Sequence, residues 1–418
     1  MPSHFAWIDF SDTERQRMMD VIRLFRQEDT RDELGIRSIR DAFANHFFPG
    51  TSTIQTRARY MLFIPWIYRS LEKRMVSSRE IAEVARNEEL KLIKVLRKTD
   101  DTRGVIGIDA GNRLQRLPSS IYWAGLGVWG IRLFPGSQDQ YHRSLDGWYA
   151  RRRNVVRDDD RQPVGLGLDE NWHPGLPDPP RGWPKEADLR LTRDEASYLF
   201  ERIMCLHRDS LLGFLVDVDA DEYVDADCFW NHPIVESLPA RLRNEITHAR
   251  NFAETIHGAA LLYNLMLSEA CENEELIDHY RSALADWSDR IHSLWNELTQ
   301  WHADRASFWS SRPLLAARIP SSTRDFVGEW CQWVFGGPRP DALAEDSVAR
   351  DVITRRELWL KRTRARLVNP SALKAWGGAS GSAKLDYRWS SVSIIVKDIL
   401  DGLHGLQRDS QPEVQQRA

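Results

Sequence analysis

Apolar residues recur at intervals of three and four along most of this chain, the period that predicts α-helix. The clearest run is Ile277, Tyr280, Leu284, Trp287, Ile291, Leu294, Leu298 and Trp301, an a/d seam of about four heptads. Upstream, Leu242, Ile246, Ala249, Ala253, Ile256, Ala260, Tyr263 and Leu267 keep that spacing with smaller side chains. Small residues opposite large aromatics let two helix axes approach closely. The pattern therefore predicts an antiparallel helical hairpin, 239–270 against 275–303.

Helix-start chemistry extends the picture. Ser11-Asp12-Thr13-Glu14, Ser77-Ser78-Arg79-Glu80 and Thr192-Arg193-Asp194-Glu195 each set a hydroxyl three residues ahead of a glutamate, the capping-box signature. Further helices are expected over 77–98, 323–335, 346–368 and 388–404. Pro65 should kink a helix or start one, because its ring excludes an interior hydrogen bond. Strand signals are few, the best being Gly104 to Ile108 and Leu211 to Val218. The expected fold is mainly α and multi-helical, with a long hairpin and few short strands.

Composition narrows the class. The longest purely apolar run, Met61 to Tyr68, is far short of the roughly 20 residues that span a bilayer, so no membrane segment is expected. The opening residues lack a secretory pattern, and Cys205, Cys228, Cys271 and Cys331 lie far apart without a Cys-x-x-Cys pair. A cytoplasmic protein with reduced thiols is the expectation.

The overall charge of -4 hides a segregation. Residues 1–157 carry 27 basic against 19 acidic side chains, residues 158–349 carry 17 against 35, and residues 350–397 carry 11 against 3. Read with a Pro/Gly/Trp-rich stretch, this suggests a serial organisation. A basic helical domain (1–157) leads through a crossing segment (158–190), anchored by Trp172 and Trp183, into an acidic helical domain (191–345). Basic helices (346–405) and a disordered tail (406–418) follow. Either the basic ends meet nucleic acid, or they dock on the acidic middle within one molecule.

Candidate chemistry is sparse. Asp217, Asp219 and Asp221 resemble the start of a calcium loop, but Glu222 stands where that loop needs glycine and Cys228 where it needs glutamate. A solvated acidic loop is the better reading, and no metal site is expected. Arg243-Asn244-Glu245-Ile246-Thr247-His248 fits the Arg-polar-x-x-x-His pattern of HEPN-type ribonucleases. There the histidine would work on the ribose 2′-hydroxyl while the arginine holds the phosphate. Gly377 to Lys384 lacks the order of a phosphate-binding loop, so a mobile loop is expected and no cofactor. The segment 118–132 follows a helix and could complete a helix-turn-helix, although its apolar surface favours core packing. Arg57, Arg59, Arg364 and Arg366 are the forked donors best placed for phosphate, with Thr51 and Ser52 supplying donors at a helix start.

Several motifs resemble a bacterial family of unknown function over nearly the whole length. They are Trp7-Ile8-Asp9-Phe10-Ser11, the Asp29–Tyr68 block with Phe48-Pro49-Gly50-Thr51-Ser52 and Thr56-Arg57-Ala58-Arg59-Tyr60, and Leu117 to Arg132 with Gly136-Ser137-Gln138. His257-Gly258-Ala259-Ala260-Leu261-Leu262-Tyr263-Asn264-Leu265-Met266 belongs with them, as does the tail Leu385-Asp386-Tyr387-Arg388-Trp389 with Asp398-Ile399-Leu400-Asp401-Gly402-Leu403. The resemblance implies no assigned activity or catalytic residues. It implies genes placed beside helicases and phospholipase-D-type nucleases in clusters that look like anti-phage defence. The leading expectation is a non-enzymatic subunit that contacts the DNA or RNA phosphate backbone and works with a helicase or nuclease. A HEPN-like ribonuclease using Arg243 and His248, and a structural adaptor that assembles a protein complex, are the alternatives.

Overall fold

The computed structural model describes residues 33–153, 170–219, 223–336 and 340–405. The Ser11 capping box, Asp221, the 158–160 acidic run and the 406–418 tail lie outside them. Among the described residues the fold is mainly α, with no strand and one isolated antiparallel bridge, Arg132 to Trp172. No helix among them is long and apolar enough to cross a membrane. The chain packs as two compact units, each built from discontinuous segments. One takes residues 33–43 and Pro239–Tyr387; the other takes Ala44–Leu238 and the stretch from Arg388 to residue 405.

The first unit is organised by the hairpin that the periodicity predicts. The helix Ala240–Ala270 runs against Glu274–Ser293 and then Trp295–Ala303. Its antiparallel register is fixed by Trp287 Nε1 donating to the Glu254 carbonyl (2.9 Å), Arg250 pairing with Glu297 (2.6 Å) and Trp301 Nε1 donating to His248 (3.1 Å). Gly258 lies against the Trp287 ring, where a Cβ would fall 2.5 Å from the indole. That contact is the small-against-large packing read from the sequence. The turn closes because Asn273 caps the second helix by accepting from the Leu276 amide.

The helices Ser321–Gly336 and Ser347–Lys361 complete this unit. Asp346 caps the latter by accepting from the Ala349 amide, and takes Trp333 Nε1 as well (both 2.8 Å). The helix expected to reach residue 368 stops at Lys361, because Arg362 takes a positive φ of 50°. The Gly377–Lys384 segment, expected as a mobile loop, is tied along the hairpin. Asn264 bonds both backbone groups of Ser380, Tyr280 donates to the Gly378 carbonyl, and His257 meets the Ser382 carbonyl.

The second unit surrounds Tyr60–Lys73, whose residues Tyr60 to Tyr68 are all buried. Pro65 sits inside that helix rather than ending it. A helix hydrophobic all round must be central, which explains the wholly apolar run. Pro118–Val128 packs onto it with Tyr122 and Leu126 fully buried, so this segment is core. Trp183 stacks on Phe63 at 5.0 Å and Trp66 donates to the Pro177 carbonyl, which makes the described part of the crossing segment, residues 170–190, an ordered strap.

Both strand expectations fail for physical reasons. Gly104 and Gly107 take φ of 81° and 78°, bending residues 104–108 into turns. Leu211–Val216 is a helix started by Ser210, whose hydroxyl accepts from the Gly213 amide. Short apolar runs fit either state, and the cap decided. Of the remaining capping boxes, Thr192–Glu195 forms reciprocally, whereas Ser77 only donates to the Glu80 carboxylate.

Candidate functional site

In the second unit a cleft of about 1190 Å³ opens between the loop before Tyr60, the start of Arg193–His207 and the helix Trp389–His404. Its lining includes Arg57 and Arg59 from the sequence-predicted set. Both are buried, and carboxylates occupy their guanidinium groups. Arg57 Nε donates to both Asp398 oxygens at 3.0 Å, and Nη1 donates to Asp101 at 2.8 Å and to the Arg103 carbonyl at 3.1 Å. Burial pulls its pKa down, yet the bonds to Asp398 and Asp101 outweigh that and the net direction is upward. Arg59 reaches Asp188 at 2.6 Å and Glu195 at 2.8 Å. The second oxygen of Glu195 accepts the Thr192 amide, so one carboxylate both caps a helix and anchors an arginine.

Four further arginines on this cleft, Arg103, Arg181, Arg190 and Arg193, are all exposed. Arg103 touches Asp101 at 3.3 Å and Arg190 approaches Asp188 at 4.0 Å, both as solvent-screened surface pairs. The sequence pattern did not single these four out. Two lie in the strap and one in the capping box, inside a stretch whose average charge is acidic. The only signal was local: an arginine next to a glycine turn or a helix start. Of the acids lining the cleft, Asp101, Asp188 and Asp398 hold the buried arginines and Asp225 pairs with Lys397, while Glu186 and Asp401 are exposed.

Thr51 and Ser52 do not stand at a helix start; the helix begins at Tyr60. Thr51 is buried and donates to the Phe48 carbonyl, and the Ser52 amide donates to the Gln55 side chain. Gly50 takes φ +79°, and a Cβ there would lie 2.4 Å from the Trp129 indole. The Pro-Gly-Thr-Ser loop is a packing turn for that close approach.

In the first unit Arg366 donates to Glu33 (3.1 Å) and Ser380 (2.7 Å), and Lys361 pairs with the same Glu33. Arg364 is exposed. Within each unit, cations of the basic ends pair with acids of the middle stretch: Lys384 with Glu254, Arg350 with Glu269, Arg59 with Asp188. Internal docking, the second charge reading, accounts for these groups.

Arg243 and His248 are not brought together. Five residues on a helix separate them by about 140°, and Arg243 is exposed on another face. A second cleft, of about 600 Å³, is lined by His248 with Arg241, seven residues earlier and about 20° away, and by Asn244, Ser307, Ser311 and Arg312. Burial lowers the His248 pKa, against the pull of Asp304 and Glu245. Asp217 ends the Leu211–Val216 helix and Asp219 faces His404 at 3.8 Å. Among the described residues no group of three or more His, Cys, Asp or Glu could hold a metal ion.

No curated protein and no solved structure matches the chain. The two arginine-anchored motifs, Thr56 to Tyr60 and Asp398 to Leu403, meet through the Arg57–Asp398 pair. All but Leu403 of these residues fall within 2–402, which match the pattern of a family of unknown function, DUF6361, and the chain belongs to that family.

Proposed function

We propose that this protein is a non-enzymatic, nucleic-acid-associated accessory subunit that engages the phosphate backbone through the cleft of the second unit. The observation that carries the reading is the set of four exposed arginines, Arg103, Arg181, Arg190 and Arg193, that line one cleft. Guanidinium groups at such positions can neutralise phosphates and release their counterions, which supplies nearly all of the affinity in non-specific binding. Arg57 and Arg59 act as buried supports that hold the cleft walls and do not themselves contact phosphate. Thr53 and Ser393 supply hydroxyls along the same cleft, while the Thr56 hydroxyl is committed to the Gly104 carbonyl. A partner helicase or nuclease in an anti-phage system is the setting that the motif resemblance implies.

The test is binding of labelled duplex and single-stranded DNA and RNA at about 50 mM salt, with a fourfold variant reversing the rim arginines to glutamate. Binding by the parent, lost in the variant and weakened steeply by salt, supports the reading. Absence of binding to all these probes would sink it and leave the adaptor alternative, read out by co-purification that survives nuclease treatment.

A further inference from the structure

The first unit carries a second, separate feature. The cleft of about 600 Å³ along the start of Ala240–Ala270 gathers hydrogen-bond donors from two directions. From the long helix come Arg241, Asn244 and His248; from the segment 307–312 come Ser307, Ser311 and Arg312.

The protonation of His248 follows from its partners. Trp301 Nε1 can only donate, so Nδ1 of His248, 3.1 Å away, is the acceptor nitrogen. Burial lowers the pKa of this ring, so the neutral form carries its proton on Nε2, which sits 3.5 Å from Ser307 Oγ. A histidine held this way cannot take a proton through Nε2, and it presents an N–H instead. Ser311 adds an independent sign. It is only 9% exposed, it lines the cleft, and its hydroxyl has no hydrogen-bond partner. A buried hydroxyl without a partner costs about 1–3 kcal/mol; the Ser311 oxygen has almost no accessible surface as placed, and a turn about χ1 would bring it to a ligand acceptor in the cleft and relieve that cost. Glu245, the acid on this lining, is buried and engaged within the protein. Arg241 and Arg312 are exposed at the mouth.

We infer that this cleft is a binding site for a small phosphate monoester of mononucleotide size. His248 Nε2–H and the Ser307 and Ser311 hydroxyls would face the phosphate oxygens. Arg241 and Arg312 would supply the charge. Leu315 and Ala316 also line the cleft, and apart from the buried Glu245 its charged groups are the two arginines, so it fits an anion. The inference does not rest on the cleft of the other unit.

Calorimetric titration of the full chain at low salt with AMP, inorganic phosphate and adenosine tests it. AMP and phosphate should bind, and adenosine should not. Arg241→Ala and Arg312→Ala should each weaken AMP by roughly tenfold, the loss expected for one charge-assisted hydrogen bond. Ser311→Ala should weaken AMP while leaving thermal stability unchanged or raised, since it removes a hydroxyl that is unsatisfied without ligand. No binding of AMP or phosphate overturns the inference, as does binding that the arginine substitutions leave unchanged. Equal binding of adenosine, or binding of inorganic phosphate alone, overturns the ester assignment.

Discussion

Asp398 accepts from Arg57 through both carboxylate oxygens at 3.0 Å and from the Ala58 amide at 2.8 Å, joining residues 341 positions apart in the chain. The pair sits at the base of the arginine-rimmed cleft, with both side chains about nine-tenths buried. Removing one partner strands the other. Asp398→Ala should therefore destabilise the protein by about 3–5 kcal/mol, and Asp398→Asn by less, because it keeps the shape and an acceptor. Replacing both residues, as Arg57→Met with Asp398→Leu, should cost less than Asp398→Ala alone. Denaturant midpoints of the four proteins check this, and a double variant that loses as much as Asp398→Ala or more would overturn the expectation.

Why was one half of this arrangement legible and the other not? Periodicity reports what a helix buries, so the hairpin and its small-against-large seam could be read directly, whereas the run Met61 to Tyr68 is apolar all round, has no such period, and lies in a single helix that continues through Pro65. The Thr192–Glu195 box was equally plain. Arg57 and Arg59 stood out as forked donors, but their fate depended on Asp398, Asp188 and Glu195, which lie at separations of more than a hundred residues. Charge counted along the chain cannot say which carboxylate folds onto which guanidinium. The exposed rim arginines were hidden by the same averaging. The strands failed because a run such as Leu211 to Val216 has no period of its own, and the cap at Ser210 lies outside it.

The seam of the hairpin yields a prediction of its own. At Gly258 an added Cβ meets three atoms of the Trp287 ring, at 2.5, 2.6 and 2.8 Å. Trp287 is buried and its indole N–H is already committed to the Glu254 carbonyl, so it has little room to withdraw. Gly258→Ala gains helix propensity of about 1 kcal/mol but forces the helices apart, and Gly258→Leu does so further. The alanine variant should come out near neutral or destabilised by about 1–2 kcal/mol, the leucine variant by clearly more. A thermal melt ranking leucine level with alanine would show that the seam opens freely.

A pH dependence follows from Glu89. It is 1% exposed and accepts from the Ser119 hydroxyl (2.7 Å) and amide (2.8 Å). Burial pushes its pKa up to about 7, against the opposing effects of Ser119 and Arg86. A carboxyl whose pKa is higher folded than unfolded stabilises the fold in its protonated form. That contribution is complete below about 4.5 and is lost as pH rises toward 7, a swing of about 3 kcal/mol. Other groups titrate too, so the comparison that isolates it is wild type against Glu89→Gln, which is neutral at every pH. The stability difference between the two should shift against wild type as pH rises through this window. A difference that stays constant would mean that Glu89 does not titrate there.

The rim of the cleft makes the last prediction quantitative. Each phosphate neutralised on a duplex adds about 0.9 to the magnitude of the slope of log affinity against log salt. Arg103, Arg181, Arg190 and Arg193 are exposed and lie on one cleft, so each Arg→Gln change should lower that slope by roughly one contact's share. Because the contacts are to backbone, the loss should be similar for unrelated sequences. Arg364→Gln, in the other unit, is the control; it is exposed and does not line this cleft, and its slope should match wild type. Arg57→Gln should behave differently from the rim changes, lowering stability through Asp398 before any effect on the slope. Salt titrations of the rim variants and the control, read beside their melting temperatures, separate contact from support. A slope that falls as much for Arg364→Gln as for Arg190→Gln would show that the charge is read from the whole surface and that the cleft has no special part in it.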